Sequence, residues 1–181
     1  MIYDEIEEYI CQYPIYQYTF AETEELEFSD KVRTICRKEC SRYGHSWSCP
    51  PAVGSVKSCH TLCLSYPKAL LFSTVAEVED YSDMDRLLET KEEHELITRQ
   101  IVKYLKDHGV ICYTLSSDSC SICDKCAYPR ECRHKEAVIP CIESHGIVLM
   151  NAIEKYHMDF YLGDQNVLWF SLIFLKNVHD F

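Results

Sequence analysis

The stretch Ala69-Leu70-Leu71-Phe72-Ser73-Thr74-Val75 decides the fold. It has the length of a strand, and its apolar run is continuous enough to be buried on both faces. Downstream, a helix is expected from about Asp83 to His108. Its apolar stripe is Leu87, Leu88, Ile97, Ile101, Val102 and Leu105, with Glu89, Lys91, Glu92, Glu93 and Lys103 turned to water. Asp107-His108-Gly109 ends that helix, and Val110 to Leu115 reads as the next strand. Upstream, a helix over about Val56 to Tyr66 follows the loop Ser46-Trp47-Ser48-Cys49-Pro50-Pro51, where two prolines exclude a helix or a central strand. Before that, Ser29 or Asp30 caps a helix running to about Tyr43, stopped by Gly44. Ile15 to Phe20 reads as a strand, and Ile2 to Ile10 as a short helix closed by Pro14. Beyond a cysteine-dense loop from Asp118 to His134, short helices are expected at Ile142 to Ser144 and Val148 to Tyr156, then a strand from Asn166 to Leu175. Strands alternating with helices give an α/β (or α+β) sandwich, a mixed sheet covered by helices. No repeat, linker or low-complexity block divides the chain, so residues 1–181 read as a single domain.

Composition bounds the function. The chain has 181 residues, 12 cysteines, 8 histidines and a formal charge of −11. A domain of this size buries about 70% of its unfolded surface, and 47% hydrophobic residues exclude an acidic disordered tail. The net negative charge disfavours nucleic acid. No run is long and apolar enough for a membrane span. The opening Met-Ile-Tyr-Asp-Glu has no basic n-region or apolar h-region, so a cytoplasmic protein is expected. Twelve cysteines in that setting point to metal or redox chemistry and not to a disulfide framework.

The cysteines fall into two motifs in loops. Cys120-x2-Cys123-x2-Cys126-x5-Cys132 lets one loop curl around an inorganic core, each thiolate meeting a separate metal while intervening N–H groups point at sulfur. Zinc, the alternative, prefers two separated C-x2-C pairs. The other motif is Cys36-x3-Cys40-x8-Cys49-Pro50-Pro51, with Cys36 and Cys40 one helical turn apart and a proline bending the chain away after Cys49. Three cysteines leave a cubane one ligand short. Cys59, Cys63, Cys141 and His45 are candidates for the fourth, and an iron open to substrate is the other solution. The third cysteine of a radical-SAM pattern is replaced by Tyr43, which excludes that reading.

The remaining thiols and imidazoles carry no pattern. Cys11 and Cys112 read as packed cysteines, and Cys63, in Leu62-Cys63-Leu64, as a core one. His94 and His108 are expected on a solvated helix, where Glu92-Glu93-His94-Glu95 forms no metalloprotease motif. His60, His157 and His179 stand alone. His134 and His145 follow the Cys120–Cys132 motif and read as surface residues, able to donate to sulfur or hold an anion. No G-x-S-x-G, Walker loop or G-x-G-x-x-G occurs, so hydrolase, kinase and dehydrogenase readings drop out.

Cys36-Arg-Lys-Glu-Cys40-Ser-Arg-Tyr-Gly-His-Ser-Trp-Ser-Cys49-Pro-Pro, with Cys120-Ser-Ile-Cys123-Asp-Lys-Cys126 and Cys132-Arg-His, resembles a family of unknown function described as predicted metal-binding proteins, number 2284 in its series. The similarity spans about residues 25 to 175, and the two motifs together make it specific. Glu136, Pro140, Glu143 and Gly146 fit the family's continuation, whereas Lys135 stands for a proline and Cys141 for a serine. The resemblance implies a cysteine-bound metal centre of iron–sulfur kind and supplies no reaction.

Three functions follow as expectations. The first is one or two [4Fe–4S] clusters held by Cys36, Cys40, Cys49, Cys120, Cys123, Cys126 and Cys132, passing electrons to a redox protein partner. The second is an enzyme using an open iron as a Lewis acid on a small anionic ligand. The third is a zinc-stapled interaction module. Charge placement bears on all three. Lys31 to Lys57 carries six basic residues against Glu39, a net +5, and Cys120 to Lys135 carries four against two, a net +2, leaving −18 for the rest. Arg37, Lys38 and Arg133 are the basic residues expected to serve the cofactor, since cations beside thiolates offset a cluster's negative charge.

Overall fold

In the computed structural model, which describes residues 2–177, the apolar run becomes β2 (Lys68–Glu77), an interior strand of a four-stranded sheet. The other strands are β1 (Gln17–Glu22), β3 (Val110–Ser116) and β4 (Asn166–Asn177), in the order β1-β2-β4-β3. β4 pairs with β2 from Lys68↔Leu175 to Glu77↔Asn166, and with β3 on its other side. Every pairing is antiparallel. The α/β class is therefore observed, with an antiparallel sheet in place of the mixed one that alternating strands and helices suggest.

Alternation along the interior strands divides the core. Leu70 and Phe72 of β2 and Ile173 and Leu175 of β4 face Ile101 and Leu105 of α4 (Met84–Asp107) and Ile6 and Ile10 of α1 (Ile2–Ile10). Ala69, Leu71, Leu172 and Phe174 face the other way, against Cys63 of α3 (Val56–Cys63) and Ala152 and Ile153 of α5 (Leu149–Lys155). Each fully buried side chain of Phe or Leu size contributes roughly 1.5–3 kcal/mol, so the two faces hold the sheet that carries the loops. Among the described residues, no helix is long and apolar enough to cross a membrane.

Local chemistry sets the ends. Ser29 caps α2 (Asp30–Glu39), its hydroxyl accepting from the Lys31 N–H at 3.3 Å, and Asp83 caps α4 by accepting from the Arg86 N–H. α2 ends four residues before the Tyr43 boundary expected from Gly44, with Cys40 in extended conformation. Gly44, at φ +74°, instead donates its N–H to the Pro50 carbonyl at 2.8 Å and folds the loop back on itself. Gly146, at φ +79°, permits a close approach: a Cβ there would meet the Val56 methyls at 2.9 Å. Its carbonyl accepts from the Ser29 N–H at 2.7 Å, drawing the starts of α2 and α3 onto the segment after Cys141.

The expected water face of α4 needs correction. Lys91, His94 and Glu95 are buried, whereas Leu88 is 38% exposed. The sheet face under α4 changes from apolar to hydroxyl-bearing at Thr74 and Ser171. His94 lies between them, 2.8 Å from each through Nδ1 and Nε2, and Thr98 and Ser116 extend the network from Ser171. Burial holds His94 down to about 3, with Lys91 acting in the same direction against a hydrogen bond at the Phe170 backbone. Since the unfolded imidazole titrates near 6.5, this stability is complete above that pH and is lost as pH falls toward 3. The expected loss by pH 5 is about 2 kcal/mol. Urea midpoints at pH 7 and pH 5 should show it, with a smaller drop in His94→Gln; equal drops would mean that His94 is not held neutral.

Candidate metal centre

Two loops meet at one end of the sheet. The first, after α2, carries Ser46 to Pro51; the second, after β3, carries Cys120 to His134. Trp47 locks them together. Its indole N–H donates to the Arg130 carbonyl at 2.8 Å, and its ring meets Tyr128 edge-on at 5.1 Å. The two sequence motifs thus occur together because each loop supplies a wall for the other.

Cys120, Cys123, Cys126 and Cys132 line one cavity of about 350 Å³, mouth included, floored by Ser46, Trp47 and Ser48. Burial alone would raise the Cys126 thiol, but the Tyr128, Trp47 and Ala127 N–H groups and the Ser46 hydroxyl outweigh it and bring its pKa below the ordinary value. The His134 N–H points at Cys132 Sγ from 3.4 Å, so the donation expected of His134 comes through its backbone. At Cys120 burial dominates and the thiol is pushed up.

Cys36, Cys40 and Cys49 line a second cavity of about 290 Å³, mouth included, and Cys141 lines it with them. Of the four candidates for a missing ligand, only Cys141 is there. Cys59 lies under α2, its thiol donating to the Val53 carbonyl at 3.3 Å; Cys63 is in the core; and His45 is exposed and lines neither cavity. Burial raises Cys36 and Cys49, and it raises Cys141 well above the ordinary range, where Glu143, accepting from that thiol at 2.7 Å, adds to the effect.

The basic residues divide. Arg133 borders the first cavity and donates to the Lys125 carbonyl at 2.6 Å. Arg37 and Lys38 are exposed on the last turn of α2 and line neither cavity. Cys11 is exposed, not packed, and Cys112 is partly buried. His145, expected at the surface, is buried, with its Nε2 2.6 Å from the Tyr113 hydroxyl. His108 is exposed as expected, His157 is also exposed, His60 lies against Phe28 at a tilt with ring centres 4.4 Å apart, and His179 lies outside the described residues.

Sequence reading missed Ser46, Ser48 and Lys91. The two serines flank Trp47 without any spacing that marks them as cavity walls. The fully buried Lys91 ammonium donates to the Ser119 carbonyl at 2.8 Å and the Ser121 hydroxyl at 3.1 Å, directly behind Cys120, and pairs with Glu95 at 3.0 Å.

α2 shows what the second cavity does for the fold. No α2 side chain is fully buried, so little apolar burial holds the helix in place. Its attachments include the Ser29 contact, Arg33 on the Gly54 carbonyl and Cys59 Sγ, Cys36 Sγ on the Glu143 carbonyl, and Cys36 and Cys40 on the cavity. Metal binding through those thiols would anchor it. Chelation under reducing conditions is expected to accelerate tryptic cleavage after Arg37, Lys38 and Arg42 at least tenfold; unchanged cleavage would show that α2 is held without metal.

The donor chemistry fits a thiolate-bound metal centre. All twelve cysteines are free, and eight of them ring two cavities in fours. Among the described residues, no three His, Cys, Asp or Glu side chains converge closely enough to hold one metal ion. Four thiolates lining one cavity are a donor set that an iron–sulfur core or, drawn together, a single zinc could use. A family model described as "Predicted metal-binding protein (DUF2284)" matches residues 19–175. No curated protein and no solved structure matches the chain.

Proposed function

The chain belongs to this family of predicted metal-binding proteins, and from that premise we propose that it is an iron–sulfur electron carrier with two [4Fe–4S] clusters. Cys120, Cys123, Cys126 and Cys132 would hold one, and Cys36, Cys40, Cys49 and Cys141 the other. The observation that carries this reading is the pair of cavities each lined by four cysteines, one set drawn from a single C-x2-C-x2-C loop. Bound there, each cluster supplies one-electron redox chemistry.

The chain's own residues do the rest. Trp47 lines the first cavity and packs edge-on against Tyr128, and the N–H groups pointing at Cys126 and Cys132 offset sulfur charge. Exposed Arg37, Lys38, Arg42, Lys125 and Arg130, against exposed Glu39, Asp124 and Glu131, leave the cysteine-bearing segments net basic on an otherwise acidic protein. Basic segments around the clusters would steer an acidic redox partner. Free thiols and a metal-loaded centre suit a reducing compartment such as the cytoplasm.

Cys141 beside the other three thiols removes the observation that favoured an open Lewis-acid iron. Anaerobic purification is the test. About eight iron and eight acid-labile sulfide per chain are expected, two cubanes' worth. Stoichiometric zinc without sulfide overturns the proposal.

A further inference from the structure

One wall separates the two cavities, and it is made of two peptide units. Ser48 lines the first cavity and Cys49 the second; Cys120 lines the first and Ser119 the second. The chain crosses from one cavity to the other at both points within a single residue.

Ser48 ties the crossings together. It is fully buried, and its hydroxyl accepts from the Cys120 N–H at 2.9 Å. The same hydroxyl is 3.6 Å from Cys49 Sγ, and the Ser48 carbonyl accepts from the Cys141 N–H at 3.3 Å. One side chain and its own carbonyl thus reach one cysteine of the first set and two of the second. Ser46 fixes that hydroxyl from 2.9 Å, and Lys91 holds the Ser119 carbonyl from behind. Nothing in this wall is exposed to water at Ser46, Ser48 or Lys91.

We propose that the two centres form one coupled pair, with Ser48 as the joint between them. The proposal rests on the iron–sulfur reading above and deepens it. Ser48 supplies a short path of covalent and hydrogen bonds from the Cys49 sulfur to the Cys120 backbone. One electron crosses per transfer, oxidising one centre by one and reducing the other by one, with no bond made or broken and no proton moved. Ser48 is a positioning residue, acting through the cysteines it touches.

The test uses the purified full chain, reduced with dithionite under anaerobic conditions after iron and sulfide assay. EPR of the fully reduced protein is compared with the sum of the spectra of two variants, each lacking one centre: Cys49→Ala and Cys123→Ala. Coupling is expected to give a broadened signal that the sum does not reproduce. In redox titrations, Ser48→Ala is expected to shift the midpoint potentials of both centres at unchanged iron content, and Ser48→Thr to restore them. Spectra that simply add, or a Ser48→Ala shift confined to one centre, overturn the joint while leaving the iron–sulfur reading intact. Absence of sulfide overturns both.

Discussion

Replacing Cys141 with alanine is expected to remove about half of the iron and sulfide that survives gel filtration with a chelator. The residue lines the second cavity with Cys36, Cys40 and Cys49, and the next segment holds it there: the Ile142 N–H donates to the Ser116 carbonyl at 3.0 Å. Without this thiol a cubane would keep three ligands and one iron facing solvent or Glu143. Cys112→Ala is the control, because Cys112 packs at the edge of the α4 side of the core, away from both four-thiol sets. Full, chelator-resistant iron in Cys141→Ala would show that three thiols suffice and that Cys141 only fills space. Cys141→Ser, which installs the serine of the family pattern that this sequence resembles, then reports whether an oxygen ligand can substitute.

Lys91→Met should be the most damaging substitution outside the cysteines. The ammonium is 1% exposed and its partners are Glu95, the Ser119 carbonyl and the Ser121 hydroxyl. Removing it leaves Glu95 buried, with Arg99 at 3.4 Å as the remaining cation, and leaves a buried carbonyl without its donor. Breaking a buried pair from one side costs about 3–5 kcal/mol. For a protein of this size that is a fall of about 10 °C in thermal midpoint. The double variant Lys91→Met, Glu95→Met should recover much of the loss, since replacing both members removes the stranded charge. A single variant within 2 °C of wild type would mean that the pair is not buried in solution. Because Ser119 precedes Cys120, the single variant should also load less metal at the first cavity, an effect the double variant would not fully repair.

Legibility from sequence tracked the range of the interactions involved. The Cys120 to Cys132 ligands were readable because all four lie within thirteen residues and one loop can bring them together. Cys141 could be named only as one candidate of four, because its place beside Cys36, Cys40 and Cys49 is set by the glycine approach at Gly146 and the bridge to Ser116. Helix extents from hydrophobic period were close for α1, a short amphipathic segment ending before Pro14, and for α4, which is long and capped by Asp83. The polar side of α4 was misread because Lys91, His94 and Glu95 follow the same spacing as solvated residues. His94 is held by Thr74 and Ser171, hydroxyls from strands far away in the chain, and Lys91, paired with Glu95, by the loop at Ser119 and Ser121. Strand direction was likewise not readable, since an interior strand needs apolar residues whichever way its neighbours run.

The place of β4 in the sheet has a consequence for biosynthesis. β4 is the strand that joins β2 to β3, yet it follows every cysteine in chain order. As the polypeptide emerges, both sets of thiols are made before the strand that aligns their loops. At 5–20 residues per second the interval between Cys141 and the end of β4 lasts about 2–7 s. During it the nascent chain carries twelve thiols with no finished sheet to separate them. On this order, a cavity that needs the finished sheet would take its metal only after β4 has paired with β2 and β3, and a chain stalled before Asn166 would offer a metal-delivery system ligands but no aligned second set.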